Sequence, residues 1–146
     1  MLNSFKNSPL YHIAFHELNY NFGNYYLCDG FVISEINEDV IFTWEDHGKQ
    51  LARDIAELYD NDGSDLVYIS NRIHNYSVNP TGWIKFFKHS YSLTGYGIVS
   101  YSPAGFFNGL LEKIFMKRSL FKRFINLEDA IRWAQMICQS KNRIAS

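Results

Sequence analysis

The residues best suited to chemistry lie in one stretch, SNRIHNYSVNPTGWIKFF, at positions 70–87. Arg72 could hold an anion, and His74 could transfer protons near neutral pH. However, no Ser-His-Asp or Cys-His arrangement can be placed from the sequence, and the nearby serines lack a nucleophile-elbow pattern. We therefore predict binding rather than catalysis. The residues predicted to contact a partner or ligand in this stretch are Arg72, His74, Tyr76, Trp83 and Phe86.

Two hydroxyl groups in the same stretch raise the question of phosphorylation. Ser77 and Thr81 flank Asn79-Pro80, where a helix is expected to begin. A phosphate there would gain from exposed N–H groups and from the helix dipole. The alternative is that Asn79 caps the helix and both hydroxyls belong to an ordinary turn. The sequence favours the turn and leaves Ser77 and Thr81 as candidate phosphorylation sites.

A metal centre and a cofactor are not expected. His12 and His16 could share a strand face, but residues four apart on a strand lie about 13 Å apart, from a rise of about 3.3 Å per residue. That separation is too large for one metal ion. His47 and His89 have no neighbour at ligand spacing.

Aromatic side chains cluster around two predicted helices. Trp83 and Phe86 on the first, with Phe106 and Phe107 on the second, could line an apolar pocket or simply form core. An exposed Trp83 or Phe86 would favour a protein interface. A roomy apolar cavity beside Phe106 would favour a small ligand.

A basic stretch, EKIFMKRSLFKRF, interleaves cations with large apolar residues. Such a pattern can contact an anionic membrane surface or nucleic acid. The alternative is a helix end, where cations are favoured, followed by a charged edge strand. We expect no nucleic acid partner, and the residues that would make a peripheral membrane contact are Lys113, Lys117, Arg118, Lys122 and Arg123.

Composition indicates one globular domain over residues 1–146, with frayed ends at about 1–9 and 140–146. The chain is 47% hydrophobic and contains 12 Phe, 10 Tyr and 3 Trp, enough for a large core. Cys28 and Cys138 are expected to be reduced core thiols. With no apolar run of about 20 residues and no signal-peptide pattern at the start, we expect a cytoplasmic protein.

Charge is unevenly distributed along the chain. Residues 1–73 carry 4 Lys+Arg and 12 Asp+Glu, and residues 74–146 carry 10 and 3, within a net charge of −1. Separate charged surfaces would favour a charged partner or head-to-tail self-association. If the halves interleave, the charges neutralise each other.

The hydrophobic pattern predicts an α/β fold in the order ββαβαβαβα. Period-two runs predict strands at YHIAFHELNY and YYLCDGFVISEI, with a bulge at Gly30. DLVYIS reads as a strand covered on both faces, with Arg72 in the loop that follows. In AGFFNGLLEKIFMKR, the residues Phe107, Leu110, Leu111 and Ile114 form a wide apolar face that is expected to pack inward. The predicted sheet is mixed and largely parallel, with helices packed on it.

This order resembles the STAS-type fold of anti-sigma-factor antagonists, and more closely its SpoIIAA-like relatives. The resemblance is carried by LFKRFINLEDAIRWAQ at the end of the chain and by DLVYIS with its following loop and helix. It implies a regulatory domain whose partner is another protein, with Ser70 to Lys88 as the contact region, and self-association into a homodimer is open. The family's phosphoserine lies in an Asp-Ser-Gly-like cluster, from which Ser70-Asn71-Arg72 departs. The alternative is a carrier or sensor of a small apolar or lipid-like ligand.

Overall fold

A computed structural model describes residues 3–116 and 119–145, and the side chains of residues 3–116 and 119–141. It contains a six-stranded sheet in the order β1-β2-β3-β5-β7-β8 and a two-stranded sheet of β4 and β6. The first three strands are antiparallel, and β3, β5, β7 and β8 are parallel. The α/β class with a mainly parallel mixed sheet is thus confirmed. The strands are His16–Tyr20, Gly23–Cys28, Phe31–Ile36, Ile41–Phe42, Val67–Arg72, Ser77–Val78, Gly95–Ser100 and Leu120–Phe124.

The predicted order ββαβαβαβα was wrong at its start. The stretch predicted as a second strand forms two strands, β2 and β3, joined at Asp29-Gly30. Gly30 has a φ of 81° and therefore makes a tight turn, not a bulge. The predicted first strand is also shorter, because Tyr11–Ile13 forms a 3₁₀ turn ahead of β1. Three antiparallel strands thus precede the first helix in the main sheet.

Helices cover both faces of the main sheet. The first helix, α1 (Lys49–Tyr59), follows a π-helical turn at Trp44–Gly48, and α2 and α3 span Gly82–Lys88 and Pro103–Lys113. These three pack on one face: side chains of α1 and α2 join two of the core clusters, and α3 packs through Gly109 against Ile98 in one of them. The last helix, α4 (Leu127–Ala145), packs on the other face together with Phe5. Each β-α-β crossover therefore places its helix on the same side, as right-handed connections require when strands are added in one direction.

Two of the three helix starts predicted from capping residues are confirmed. Ser102 accepts a hydrogen bond from the N–H of Gly105 at 3.3 Å, ahead of Pro103 at the first turn of α3. Asn126 accepts one from the N–H of Asp129 at 2.9 Å, ahead of α4. The third start lies later than predicted: α2 begins at Gly82, because Asn79 bonds Thr81 within a separate turn.

The orientation of α3 is the reverse of the prediction. Its buried residues are Gly109 and Glu112, whereas the side chains predicted to face inward are exposed. A Cβ added at Gly109 would lie 2.8 Å from Ile98 Cδ1, so the helix backbone lies very close to β7. The exposed set, termed here the outer face of α3, comprises Phe106, Phe107, Leu110, Leu111 and Ile114.

Three aromatic rings stack across neighbouring strands of the sheet. Tyr68 on β5, Tyr96 on β7 and Phe121 on β8 are register partners. Their ring centroids are 5.5 and 5.8 Å apart, and the rings are nearly parallel. Trp83 of α2 meets the first two edge-on. This aromatic ladder fixes α2 against the centre of the sheet.

The described parts of both chain ends contact the core or belong to a helix. Phe5 is fully buried, and its main-chain N–H donates to Glu35 Oε2 at 2.8 Å. At the other end, α4 continues to Ala145. Both cysteines are free thiols. Burial raises the pKa of the Cys28 thiol to about 12.

The two halves of the chain share ion pairs. Lys85 pairs with Glu45, and Lys141 pairs with Asp65 at 2.9 Å. These contacts join the acidic first half to the basic second half, so the charges interleave in part. Among the helices described, none has both the length and the apolar composition needed to cross a bilayer.

Candidate functional site

Strand β5 extends two residues beyond the predicted run and carries Arg72 into the core. Arg72 was predicted in a loop, yet its side chain is only 2% exposed. Its Nε donates to Ser70 Oγ at 3.1 Å, and its Nη2 donates to Tyr96 Oη at 3.2 Å and pairs with Glu112. The guanidinium also lies 5.2 Å from the centre of the Tyr76 ring. Because β5 is central and flanked by β3 and β7, these contacts fix the arginine rigidly.

Glu112 collects donors from three elements. Besides its pair with Arg72, its Oε1 accepts from Tyr96 Oη at 2.8 Å and from Trp83 Nε1 at 3.1 Å. The carboxylate is 1% exposed, and it enters the core because the close approach of α3 at Gly109 brings the helix down onto β7. A buried charge is tolerated when it is paired and hydrogen-bonded in this way.

The electrostatics of this network follow from burial and from the ion pair. Burial is the largest single effect and opposes the charge on Arg72, but Glu112, Tyr76 and Tyr96 together outweigh it and raise the pKa of the arginine well above its ordinary value. Burial raises the pKa of Tyr96, with Glu112 adding to the effect. Burial also raises the pKa of Tyr76, against the opposing effect of Arg72. Both phenols are therefore protonated at neutral pH.

A polar pocket of about 250 Å³ opens beside this network. It lies beyond the carboxyl end of β5, where ligands of α/β sheets tend to bind, and it is bounded by the first turns of α3. Three predicted site residues, Arg72, His74 and Tyr76, line it together with Ser77. The residues from other elements that the site depends on are Asp39, Ala104, Gly105 and Asn108.

A second, apolar cavity of about 90 Å³ lies between α1, α2 and the sheet. Trp83 and Phe86 line it as predicted, together with Trp44 and Tyr91, and Glu112 forms a polar end. Tyr76 lines both spaces, so its ring separates the apolar cavity from the polar pocket. Trp83 and Phe86 are half-buried in an aromatic cluster with Trp44, so neither projects freely as the interface hypothesis required.

Comparison of the chain with family models, with curated proteins and with solved structures found no match.

The remaining predicted residues lie elsewhere. Phe106 sits on the outer face of α3, 3.5 Å from the Arg123 guanidinium, and the apolar cavity is not beside it. Thr81 is exposed and donates through Oγ1 to Asn79 at 2.7 Å. Within residues 3–116 and 119–141, no group of three or more His, Cys, Asp or Glu side chains could hold a metal ion.

The basic stretch does not form one surface. Lys113 lies over the Phe121 ring on the side of α3, whereas Lys122 lies over the Phe124 ring on the side of α4. Successive side chains of β8 alternate between the faces, so Arg123 shares the α3 side. The other two predicted contacts, Lys117 and Arg118, lie outside the described residues.

Sequence reasoning missed three members of the buried network: Ser70, Tyr96 and Glu112. The usable signal for Glu112 was its spacing, because Gly105, Gly109 and Glu112 recur at one helical face. A stripe with two glycines marks a helix surface that can approach a sheet closely. The acidic residue on that stripe was therefore a candidate for burial beside a buried cation.

Proposed function

We propose that this chain is a cytoplasmic STAS-like domain that acts by binding a protein partner, and not by catalysis, through the outer face of α3. The single observation that carries the proposal is this face. Five large apolar side chains that share one stripe of α3 and its C-cap residue are exposed, with Phe107 at 62% and Ile114 at 63%. Contiguous exposed apolar surface of this kind marks interaction sites in soluble proteins.

The charges around this face favour a partner with an acidic rim. Lys113 and Arg123 border it, and the sole acidic residue of α3, Glu112, is buried. Complementary charge at a rim guides association and selects the partner. A membrane is the weaker candidate, because Lys122 lies on the other side of β8 and would not reach the same bilayer surface.

The contact region predicted from the sequence, Ser70 to Lys88, supports the proposal less well. Its aromatic residues are half-buried, and its buried polar residues serve the network around Arg72. Only Ile84 on α2 presents a large exposed apolar side chain there, at 54%. The interface is therefore proposed on α3, one helix later in the chain.

Site-specific photocrosslinking in host lysate tests this proposal. A photoreactive phenylalanine analogue replaces Phe107 or Leu111, and the same replacement at Met136, which is 65% exposed on α4, is the matched control. We expect one heterologous polypeptide to be captured at positions 107 and 111 and not at 136. An excess of unlabelled wild type should compete for it, and an excess of Leu111→Asp should not.

Four outcomes would contradict the proposal. Capture of a second copy would make the face a self-association surface, and capture of lipid would make it a membrane contact. Equal capture at all three positions would show that α3 has no specific partner. Capture that an excess of unlabelled wild type does not reduce would show the same.

A small apolar ligand is the second candidate function, favoured by the cavity between Trp83, Phe86 and Trp44. Its volume of about 90 Å³ is smaller than the cavity of about 150 Å³ that holds benzene in an engineered protein. A larger ligand would have to displace the ring of Trp83 or Phe86. This size is the reason we rank the ligand below the protein partner.

Native mass spectrometry of the chain purified from its own host tests the ligand hypothesis. Extra mass that dissociates as a small molecule, and that is lost in Ala52→Leu, would support it because Ala52 lines the cavity. Met136→Leu on α4 is the control and should retain the extra mass. A bare chain from all three proteins would contradict it.

A further inference from the structure

Two polar groups at the base of the polar pocket, one of them on a pocket-lining residue, have hydrogen-bonding capacity that the protein itself does not use. The residues concerned end two paired strands: Arg72 is the last residue of β5, and its register partner Ser100 is the last of β7. Arg72 Nη1 and Ser100 Oγ are both buried, and neither has a hydrogen-bond partner. An unpaired buried polar group is destabilising, so two of them at adjacent strand ends call for an explanation.

The first turn of α3 lies over the same point. A Cβ added at Gly105 would be 3.5 Å from Ser100 Oγ, which places the turn directly above the strand end. Pro103 has no N–H to donate. The N–H of Gly105 already donates to Ser102 Oγ. The N–H of Ala104 has no acceptor within the helix, because the first turn of any helix lacks one. Ala104 and Gly105 line the pocket with Arg72.

These donors converge from two directions on one space. Arg72 supplies a fixed guanidinium from below, with Nε and Nη2 already occupied and only Nη1 available. The helix supplies the free main-chain N–H of Ala104 and the positive end of its dipole from above. Guanidinium groups and helix N-termini are both recurrent phosphate-binding elements in proteins.

We propose that the polar pocket binds the phosphate group of a small molecule, with Arg72 Nη1 and the first turn of α3 as its donors. This site is separate from the outer face of α3, and its existence does not depend on the proposed partner. Glu112 already balances the charge of Arg72, so directed N–H groups provide the binding more than net charge does. The affinity for inorganic phosphate alone is accordingly expected in the millimolar range.

One residue opposes the anion. Asp39 lines the pocket and is exposed at its mouth, where solvent screens its charge. If the pocket binds phosphate, removal of the Asp39 carboxylate should therefore strengthen binding. His74 faces the same space and can add a donor.

Isothermal titration with inorganic phosphate, at an ionic strength held constant with chloride, tests the site. We expect one site per chain in the wild type, about tenfold weaker binding in Ala104→Glu, and about two- to threefold tighter binding in Asp39→Asn. Acetate should bind more weakly than phosphate. Ala104→Glu is suitable because an acidic side chain in the first turn stabilises a helix, so the variant should fold.

The control is Met136→Glu, which adds the same charge on the opposite face of the sheet and should bind phosphate like the wild type. Intact mass before titration detects covalently bound phosphate, and peptide fragmentation shows whether it is on Ser77, which lines the pocket. A wild type that carries no covalent phosphate and shows no titration overturns the proposal. So does Ala104→Glu binding as tightly as Met136→Glu, or Asp39→Asn binding no tighter than the wild type.

Discussion

At the scale of single residues, the most consequential feature is a buried ion pair held by neutral donors. Arg72 and Glu112 are each almost fully buried, and Trp83, Tyr96 and Ser70 add further hydrogen bonds to the pair. Such a pair contributes little net stability compared with apolar residues, but loss of one partner leaves an uncompensated buried charge. The pair therefore enforces one arrangement of α3 on the sheet more than it strengthens the fold.

Glu112→Gln should lower the free energy of unfolding by about 3–5 kcal/mol. The amide keeps an acceptor for Trp83 and Tyr96, so the loss reports mainly the buried charge left on Arg72. Urea denaturation followed by circular dichroism measures it.

The matched control is Glu45→Gln, which removes the exposed pair with Lys85. That change should cost less than about 1 kcal/mol, because solvent screens surface pairs. Equal losses in the two variants would show that the Arg72–Glu112 pair is not buried as described.

The sequence indicated the arginine but not its environment. Arg72 stood out because a cation followed a buried apolar run, and His74 and Tyr76 lay near it. Glu112 is 40 positions away, and only the docking of α3 brings it to Arg72. Contacts between distant segments depend on packing, which the local pattern of either segment does not specify.

At the scale of elements, α3 shows how a hydrophobic pattern can mislead. Its apolar stripe is the widest in the helix, and the expectation that it packs inward was reasonable. The glycine stripe packs inward instead, because it permits the close approach that buries Glu112 against Arg72. An apolar stripe left exposed in this way is explained more readily by a partner than by the fold.

Two glycine substitutions on this stripe should behave differently. Gly105→Ala should raise the free energy of unfolding by up to about 1 kcal/mol, because alanine favours helix and its Cβ would meet only ordinary contacts at 3.5 Å. Gly109→Ala should gain less or lose stability, because its Cβ would lie 2.8 Å from the buried Ile98 Cδ1. Thermal unfolding of both variants compares them directly.

Gly105→Ala is the control, because it measures the gain in helix propensity without a close contact to the sheet. If Gly109→Ala were the more stable variant, α3 would not lie as close to β7 as the contacts at Gly109 require.

Elements with strong local signals were predicted well. The capping residue Asn126 and the apolar spacing from Leu127 predicted α4, and Ser102-Pro103 predicted the start of α3. The β2–β3 hairpin was missed because its turn, Asp29-Gly30, lies inside a long apolar run that is buried on both strands. Burial of both faces removes the polar alternation that would have marked the end of a strand.

At the scale of the whole molecule, the many buried phenols set the alkaline limit of stability. Burial raises the pKa of Tyr26 to about 12, and Tyr101 shifts to a similar value for the same reason. Fully buried Tyr25 and Tyr96 are raised further. Each folded-state pKa exceeds the ordinary value of 10.0, so the unfolded chain loses protons first as the pH rises.

The free energy of unfolding should therefore be nearly independent of these groups below pH 9 and fall steadily above it. The onset at pH 9 is set by Cys28, whose ordinary pKa is 9.0. Each group contributes a slope of at most about 1.4 kcal/mol per pH unit. Urea denaturation at a series of pH values between 7 and 11 measures the slope.

Tyr26→Phe is the internal control for that series. It should reduce the slope above pH 10 and leave the slope between pH 7 and pH 9 unchanged. A free energy of unfolding that stays constant from pH 8 to pH 11 would mean that the phenols ionise as easily in the folded state as in water.

The aromatic ladder also favours one register of the paired strands. Tyr68, Tyr96 and Phe121 stack only when β5, β7 and β8 pair in the observed register. A shift of β7 by one residue would turn Tyr96 to the α4 side, since side chains alternate along a strand. The shifted sheet would then lose the ring stacking, and the Tyr96 hydroxyl would no longer reach Arg72 and Glu112. These two losses make the native register more stable than a register shifted by one residue.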